Sequence, residues 1–494
     1  MKKLLKPSII VFLLVSSSSA EMIEIEKNSF RTSFETVKIS SNEDMGLLGT
    51  SYLFEKPNDI YYGFGLYSAI TGQRGGFFVG GFHFGYKYPL IQNLSLDLGG
   101  FVGGGGGGAA PQGGGLMLRS YGGLHYQKGD YGVGVSYSNV TFPNGDIQSN
   151  QIAVHAQTNF ESLYFNPPLD IEILKKYNIK SNRDYIVGTY QYYKPEKKSL
   201  KTDNKPLQNS IKLVGIEYGM LLNDHLLAYL ESAAAMGGES AGYMEVLGGV
   251  GYNQPLFLDD LNLQAKISLG AGGGGRVKTD GGGITKSSIG FNYGKKIHLG
   301  AEVGYYHAIE DDFDAKFAKV NLGMNTNFLS LSKSKEVVDY DSLTIQKFNL
   351  RVLNQTYLYN QNITPKKNGL DIHLIGMKID YLIDEHLYLS GQGYGAYKGE
   401  AGGYAVGLLG AGYIQPLPFN FSIYAECAFG AAGGGSIQSG EGSVIQPSIG
   451  VLYDLTRNYS LFGSVGQIKA LNGELDTHMI EFGIQYRFNK LRLR

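Results

Sequence analysis

The chain has 494 residues, 43 lysines and arginines against 44 aspartates and glutamates, one cysteine, no tryptophan, 71 glycines and 36 tyrosines. The near-neutral balance argues against a nucleic-acid partner, which calls for a basic excess, and 43% hydrophobic residues are too many for a disordered chain. Glycine without a three-residue period excludes collagen, and Cys427 alone excludes an internal disulfide, a cysteine zinc cluster and a CxxC redox site.

Residues 1–20 read as a cleaved export signal. Lys2, Lys3 and Lys6 form its positive start, Ile9 to Val15 its short apolar core, and Ser18-Ser19-Ala20 its cleavage positions. The apolar run is far short of the ~20 residues that a membrane helix needs, and no later run reaches that length. The mature chain, from Glu21, is therefore expected to be soluble and exported or to cross a membrane with strands.

From there on the sequence alternates with period two. In Leu261-Asn262-Leu263-Gln264-Ala265-Lys266-Ile267-Ser268-Leu269 one face is apolar and the other polar. A barrel in lipid requires this pattern, with apolar side chains outside and polar ones within. Any aromatic girdle has to be built from tyrosine and phenylalanine.

The pattern is written three times. Gly85-Tyr86-x-x-Pro89-Leu90 returns as Gly251-Tyr252-x-x-Pro255-Leu256 and Gly412-Tyr413-x-x-Pro416-Leu417. Each copy then carries a strand running into a glycine tract, a strand ending at Tyr126, Tyr293 or Tyr453, and a last strand ending at Phe160, Phe328 or Phe488. The period is about 160 residues, which divides the chain into repeats at 21–160, 161–328 and 329–488 with a tail at 489–494. Eight strands fit each copy, at about 344–359, 371–383, 386–399, 401–415, 419–432, 442–454, 459–471 and 476–488 in the third, giving about 24 in all. The fold class is all-β, an antiparallel transmembrane barrel. One large barrel is favoured over three small ones because the connectors are short; those at 166–182 and 331–343, between copies, are the longest on their side.

The terminal strand, His478 to Phe488, puts Ile480, Phe482, Ile484, Tyr486 and Phe488 on one face. It resembles the C-terminal assembly signal of bacterial outer-membrane β-barrels, although Asn489 to Arg494 follow where such barrels commonly stop. The resemblance implies an outer-membrane location, lipid around the barrel, and recognition of this strand by the outer-membrane assembly machinery. No cofactor is implied.

Three sets of residues stand out. Arg119, Lys286 and Gln446 align across the copies, as do Asn159, Asn327 and Arg487, and both sets are expected to line the lumen. A wide barrel without a plug domain needs an obstruction. The tracts holding Gly103, Gly104 and Gly105, Gly272, Gly273 and Gly274, and Gly433, Gly434 and Gly435 are the candidates for a constriction. His225 and His386 fall in turns, His125 and His155 face the lumen near Gln157, and Glu310 to Asp314 form an acidic loop without EF-hand spacing. No nucleophile and base are placed together, so no enzyme is inferred and no catalytic or metal residue is assigned. The expected function is a channel or export conduit for a solute or polymer. A non-conducting structural or surface protein is the alternative, and a lipid-modifying enzyme the third.

Overall fold

The computed structural model describes residues 23–40, 42–166, 170–258, 260–332, 338–359 and 369–493. The export signal read at 1–20 lies outside them. Long strands dominate. The first repeat supplies β1 (Ile23–Ser40), β2 (Glu43–Glu55), β3 (Ile60–Thr71), β4 (Phe78–Ile91), β5 (Leu94–Gly106), β6 (Leu116–Lys128), β7 (Tyr131–Thr141) and β8 (Gln148–Phe165). A connector follows with a one-turn helix α1 (Ile171–Leu174) and β9 (Ile179–Ser181). The second repeat supplies β10 (Arg183–Pro195), β11 (Ile211–Leu221), β12 (Leu226–Gly237), β13 (Met244–Pro255), β14 (Leu261–Gly273), β15 (Gly283–Tyr293), β16 (Ile297–Ala308) and β17 (Asp314–Asn325). After β18 (Leu329–Leu331) come β19 (Leu343–Tyr357), β20 (Ile372–Leu382), β21 (Leu387–Lys398), β22 (Ala405–Pro416), β23 (Phe421–Gly433), β24 (Ser443–Asp454), β25 (Tyr459–Ala470) and β26 (Asp476–Leu493).

The three eight-strand repeats and their 24 barrel strands are as the sequence implied. Their closure is not. β1 pairs along its length with β8, β10 with β17 and β19 with β26, so each repeat closes on itself. The single wide barrel is thereby corrected to three small ones. The physical reason lies inside them: eight strands leave an interior just wide enough to be filled by side chains, and the inward residues fill it.

Each wall is inverted relative to a soluble barrel. On β14 the side chains of Gln264, Lys266 and Ser268 are buried inside while Ile267 and Leu269 are exposed outside. Val133, Val135 and Tyr137 on β7 repeat this, as do Ile289, Phe291 and Tyr293 on β15. That is the distribution of a barrel in lipid, where every backbone group pairs within a closed sheet. Exposed Tyr126, Tyr252, Tyr293, Tyr413 and Tyr453 lie at the short-turn end, the position of an aromatic girdle. No helix among the described residues is long and apolar enough to cross a membrane.

The connectors between copies are built structure. β9 and β18 pair as a small two-stranded sheet. Leu174, Ile179 and Leu329 pack there with Ile23 and Phe165 of the first barrel and with Leu343 and Leu491 of the third. Residues 489–493, set apart in sequence as a tail, instead continue β26 and pair with Leu343 to Lys347.

Candidate functional site

The opposite ends of the barrels carry the glycine tracts, and here the three repeats meet. The hairpin between β3 and β4 of the first barrel lies on the tract of the second. The hairpin between β12 and β13 of the second lies on the tract of the third, and that between β21 and β22 of the third on the tract of the first. The contact is backbone on backbone. A Cβ added to Gly273 would come 2.5 Å from the Gly76 nitrogen, one on Gly242 2.8 Å from that of Gly434, and one on Gly403 2.9 Å from that of Gly107. Gly242 and Gly403 also have φ values of 87° and 88°, a region open mainly to glycine. Hydrogen bonds cross each seam. Gly75 N–H donates to Asp280 O (2.5 Å) and Gly403 N–H to Gly105 O (3.1 Å). Ser443 Oγ donates to Met236 O (2.7 Å), and Gln112 Nε2 to Gly402 O (3.0 Å). The result is a closed ring of three equivalent clasps.

Beneath the clasp the outer walls of the three barrels border a half-open chamber of about 690 Å³. Phe64, Phe78 and Phe82 come from the first barrel, Val214, Ile216 and Met244 from the second, and Ile375, Leu409 and Phe429 from the third. Gly80, Gly393 and Gly407 also line it, and a Cβ on any of them would meet nothing within 4 Å. The lining is mainly apolar.

The barrel interiors are different: they hold charge, and most of it is paired. In the second barrel Lys266 bridges Glu217 and Glu302 (2.7 Å each), Lys319 bridges Glu217 and Glu231 (2.6 and 2.9 Å), and Lys286 reaches Glu231 and Glu245 (2.5 and 3.0 Å). All seven side chains are nearly inaccessible. In the first barrel Arg31 meets Asp97 at 2.9 Å, Arg119 meets Glu35 at 2.6 Å and Lys87 meets Glu55 at 2.8 Å. In the third Arg351 meets Asp380 at 2.8 Å and Lys378 pairs with Glu426. Toward the glycine end the lumens are stopped by aromatics: Phe77, Phe101 and Phe142 in the first barrel, Tyr193, Tyr243 and Tyr306 in the second, and Tyr357 and Tyr404 in the third.

The lumen-facing residues read from sequence therefore point inward but line no wide pore. Arg119 and Lys286 belong to these ion-pair clusters. Buried Gln446 accepts from Gln355 Nε2 at 3.2 Å. Asn159 accepts from Gln157 Nε2 at 2.7 Å, and Arg487 pairs with Asp454 at 2.5 Å. Asn327 is misplaced: strand register aligns Asn159 with Asn325 and Arg487, and Asn327 lies past β17 with φ 48°. The nine glycines constrict no lumen by their own backbone. Gly103 and Gly272 face inward, where a Cβ would come 2.7 Å from the Phe101 ring and 2.9 Å from the Tyr306 hydroxyl. Gly104, Gly273 and Gly433 press on Gly395, Gly76 and Gly242 of the neighbouring barrel, and Gly105 accepts the Gly403 bond. Gly274, Gly434 and Gly435 pack on Gly242, Gly403 and Ala401 of their own barrels.

His225 and His386 tie turns, with ring nitrogens 3.1 and 2.9 Å from the carbonyls of Asn253 and Ile414 and rings stacked on Tyr252 and Tyr413. Glu310 accepts from Gly72 N–H of the first barrel at 3.0 Å, so the acidic loop joins the clasp. Sequence reasoning missed Arg31, Lys319, Arg351 and the glutamates as interior pairs. The signal was there: acids and bases in near balance on the inward face of every repeat.

No protein-family model matches the chain, and no curated protein matches it. Among solved structures it is similar to the siderophore receptor PirA from Acinetobacter baumannii, with 11% identity over 94% of this chain and 80% of that one and a TM-score of 0.29. It is also similar to OpdQ from Pseudomonas aeruginosa, with 10% identity over 94% and 97% and a TM-score of 0.21. A bacterial polysaccharide outer-membrane secretin matches at 8% identity over 93% and 98%, with a TM-score of 0.21.

Proposed function

We propose that the chain is an exported outer-membrane transport protein whose route is the chamber between the barrels and not the interior of any of them. The observation that carries this is the contrast just described: three lumens closed by ion pairs and aromatics, around one apolar space to which all three barrels contribute. Its volume falls in the roughly 300–1,000 Å³ range of small-molecule sites. An apolar wall offers an ion nothing to replace its water shell, so the solute is a hydrocarbon chain or another apolar compound. Short turns lie at the inner face of such membranes and longer loops outside, which puts the clasp at the outer surface.

Protein reconstituted in vesicles tests this. Transfer of a fluorescent long-chain fatty acid should exceed that of protein-free vesicles, with no ion-conductance steps in a planar bilayer. Gly80→Phe combined with Gly407→Phe, which fills the chamber from positions with free space, should abolish transfer. Porin-sized conductance indifferent to these changes would sink the proposal. Absence of both transfer and current would favour a non-conducting structural protein, for which the sealed interiors speak.

A further inference from the structure

Toward the turn end of the first barrel, three side chains converge that neither the clasp nor the chamber uses. Asp97 on β5, His125 on β6 and His155 on β8 each bring one donor atom to within 4.8 Å of the other two. Asp97 is held from behind: the Tyr61 hydroxyl donates to it at 2.6 Å and the Arg31 guanidinium lies 2.9 Å away. Gln127 donates its amide N–H to Gly129 O at 2.8 Å, so its Oε1 faces His125 Nε2 at 3.0 Å. An amide oxygen only accepts, hence Nε2 carries a proton, and in the neutral ring His125 Nδ1 presents a lone pair. That lone pair faces His155 Nε2 at 2.9 Å, with the two rings stacked 5.2 Å apart. A bond between two ring nitrogens requires an acceptor, so at least one imidazole is neutral.

The strand between β6 and β8 is cut away to admit these rings. On β7, a Cβ at Gly132 would come 2.6 Å from His125 Cε1, and one at Gly134 would collide with the His155 ring. His155 is the half-buried member of the three.

We propose that Asp97, His125 Nδ1 and His155 Nε2 bind a borderline divalent transition-metal ion of the zinc, nickel or copper class. Two imidazoles and a carboxylate are the donors that such ions take. Tyr61, Arg31 and Gln127 form the outer ring of partners that fixes ligand orientation and tautomer in metal sites. On binding, the His155 proton moves from Nε2 to Nδ1 and the ion replaces the bond between the histidines. The site belongs to the first barrel alone. Strand register puts Gln264, Asn292 and Asn321 at the same places in the second barrel and Tyr424, Leu452 and Gly483 in the third.

That difference supplies a variant suited to the fold. His125→Asn with His155→Asn installs the residue types the second barrel already tolerates. The full-length protein, without an affinity tag, carries Cys427→Ser in every sample because that thiol is exposed. After chelator treatment it is titrated with Zn²⁺ by calorimetry and with Co²⁺ by visible absorption. One equivalent should bind, with Co²⁺ bands of low coordination number, and the double variant should bind at least tenfold more weakly while keeping the heat-modifiable mobility of a folded barrel. His155→Asn alone, at the more exposed ligand, stands in if the double variant does not fold. No stoichiometric binding by the parent, or binding unchanged in the variants, overturns the site.

Discussion

A single lysine shows what keeps the interiors closed. Lys319 reaches Glu217, Glu231 and Glu302 from a side chain that is 1% exposed. Three lysines against four glutamates leave the second barrel's cluster one formal negative charge; without Lys319 it carries two. Removing one member of a buried ion-pair group leaves charge without compensation, at a cost of about 3–5 kcal/mol. Lys319→Met should therefore lower the unfolding midpoint in detergent well below that of Lys319→Arg, which keeps the charge. Equal midpoints for the two variants would mean that water solvates the cluster and the lumen is wetter than its packing implies. The same residue marks a limit of sequence reading. Lys319 alternates correctly onto the inward face, so its direction was legible. Glu302 stands opposite it on the adjacent β16, but Glu217 and Glu231 stand on β11 and β12, more than eighty residues away, and no local pattern joins them.

At the scale of elements, the strands were the most legible feature because period-two alternation fixes both existence and facing. Several expected spans in the third repeat agree with the structure to within two or three residues. The ends escaped. β1 already begins at Ile23, close to the start of the mature chain, and β26 runs to Leu493, five residues past the expected end at 488. Both extensions pair within their own barrels beside the connectors, Ile23 to Lys27 with Glu161 to Phe165 and Asn489 to Leu493 with Leu343 to Lys347. Arg492 bridges Phe328, Leu493 N–H donates to Asn327 O at 3.2 Å, and Asn489 Nδ2 donates to Phe165 O at 2.8 Å. These residues join the third barrel to the connector and to the first barrel. Truncation after Phe488 should leave the third barrel closed, since ten register pairs between β19 and β26 remain from Phe348↔Phe488 to Tyr357↔Met479. It should speed amide exchange at Ile179–Ser181 and Leu329–Leu331 by at least an order of magnitude. Unchanged exchange there would show that the connector sheet needs no support from β26.

For the whole molecule, the decisive evidence for three barrels lay in the connectors and was read the other way. In one continuous barrel, β8 and the next repeat's first strand would be neighbours joined by a short turn. A segment as long as 166–182 is what a chain needs to leave one closed barrel and begin another. The glycine tracts stood out in the sequence as a constriction, yet which backbone they approach is set by the packing of separate barrels, invisible in one repeat. The ring of clasps then gives a prediction about assembly. With the barrels held by the seams at one end and the apolar connector cluster at the other, covalent linkage should be dispensable once the chain has folded. A protease site placed in each of the two connectors, cleaved after purification, should leave three fragments that elute together in mild detergent. Adding Gly76→Val, Gly242→Val and Gly403→Val drives side chains into facing backbone at all three seams, and the cleaved fragments should then separate. Fragments that part without these substitutions would show that the chain, and not the glycine contact, holds the chamber together. Fragments that stay together with all three would assign the cohesion to the connector cluster instead.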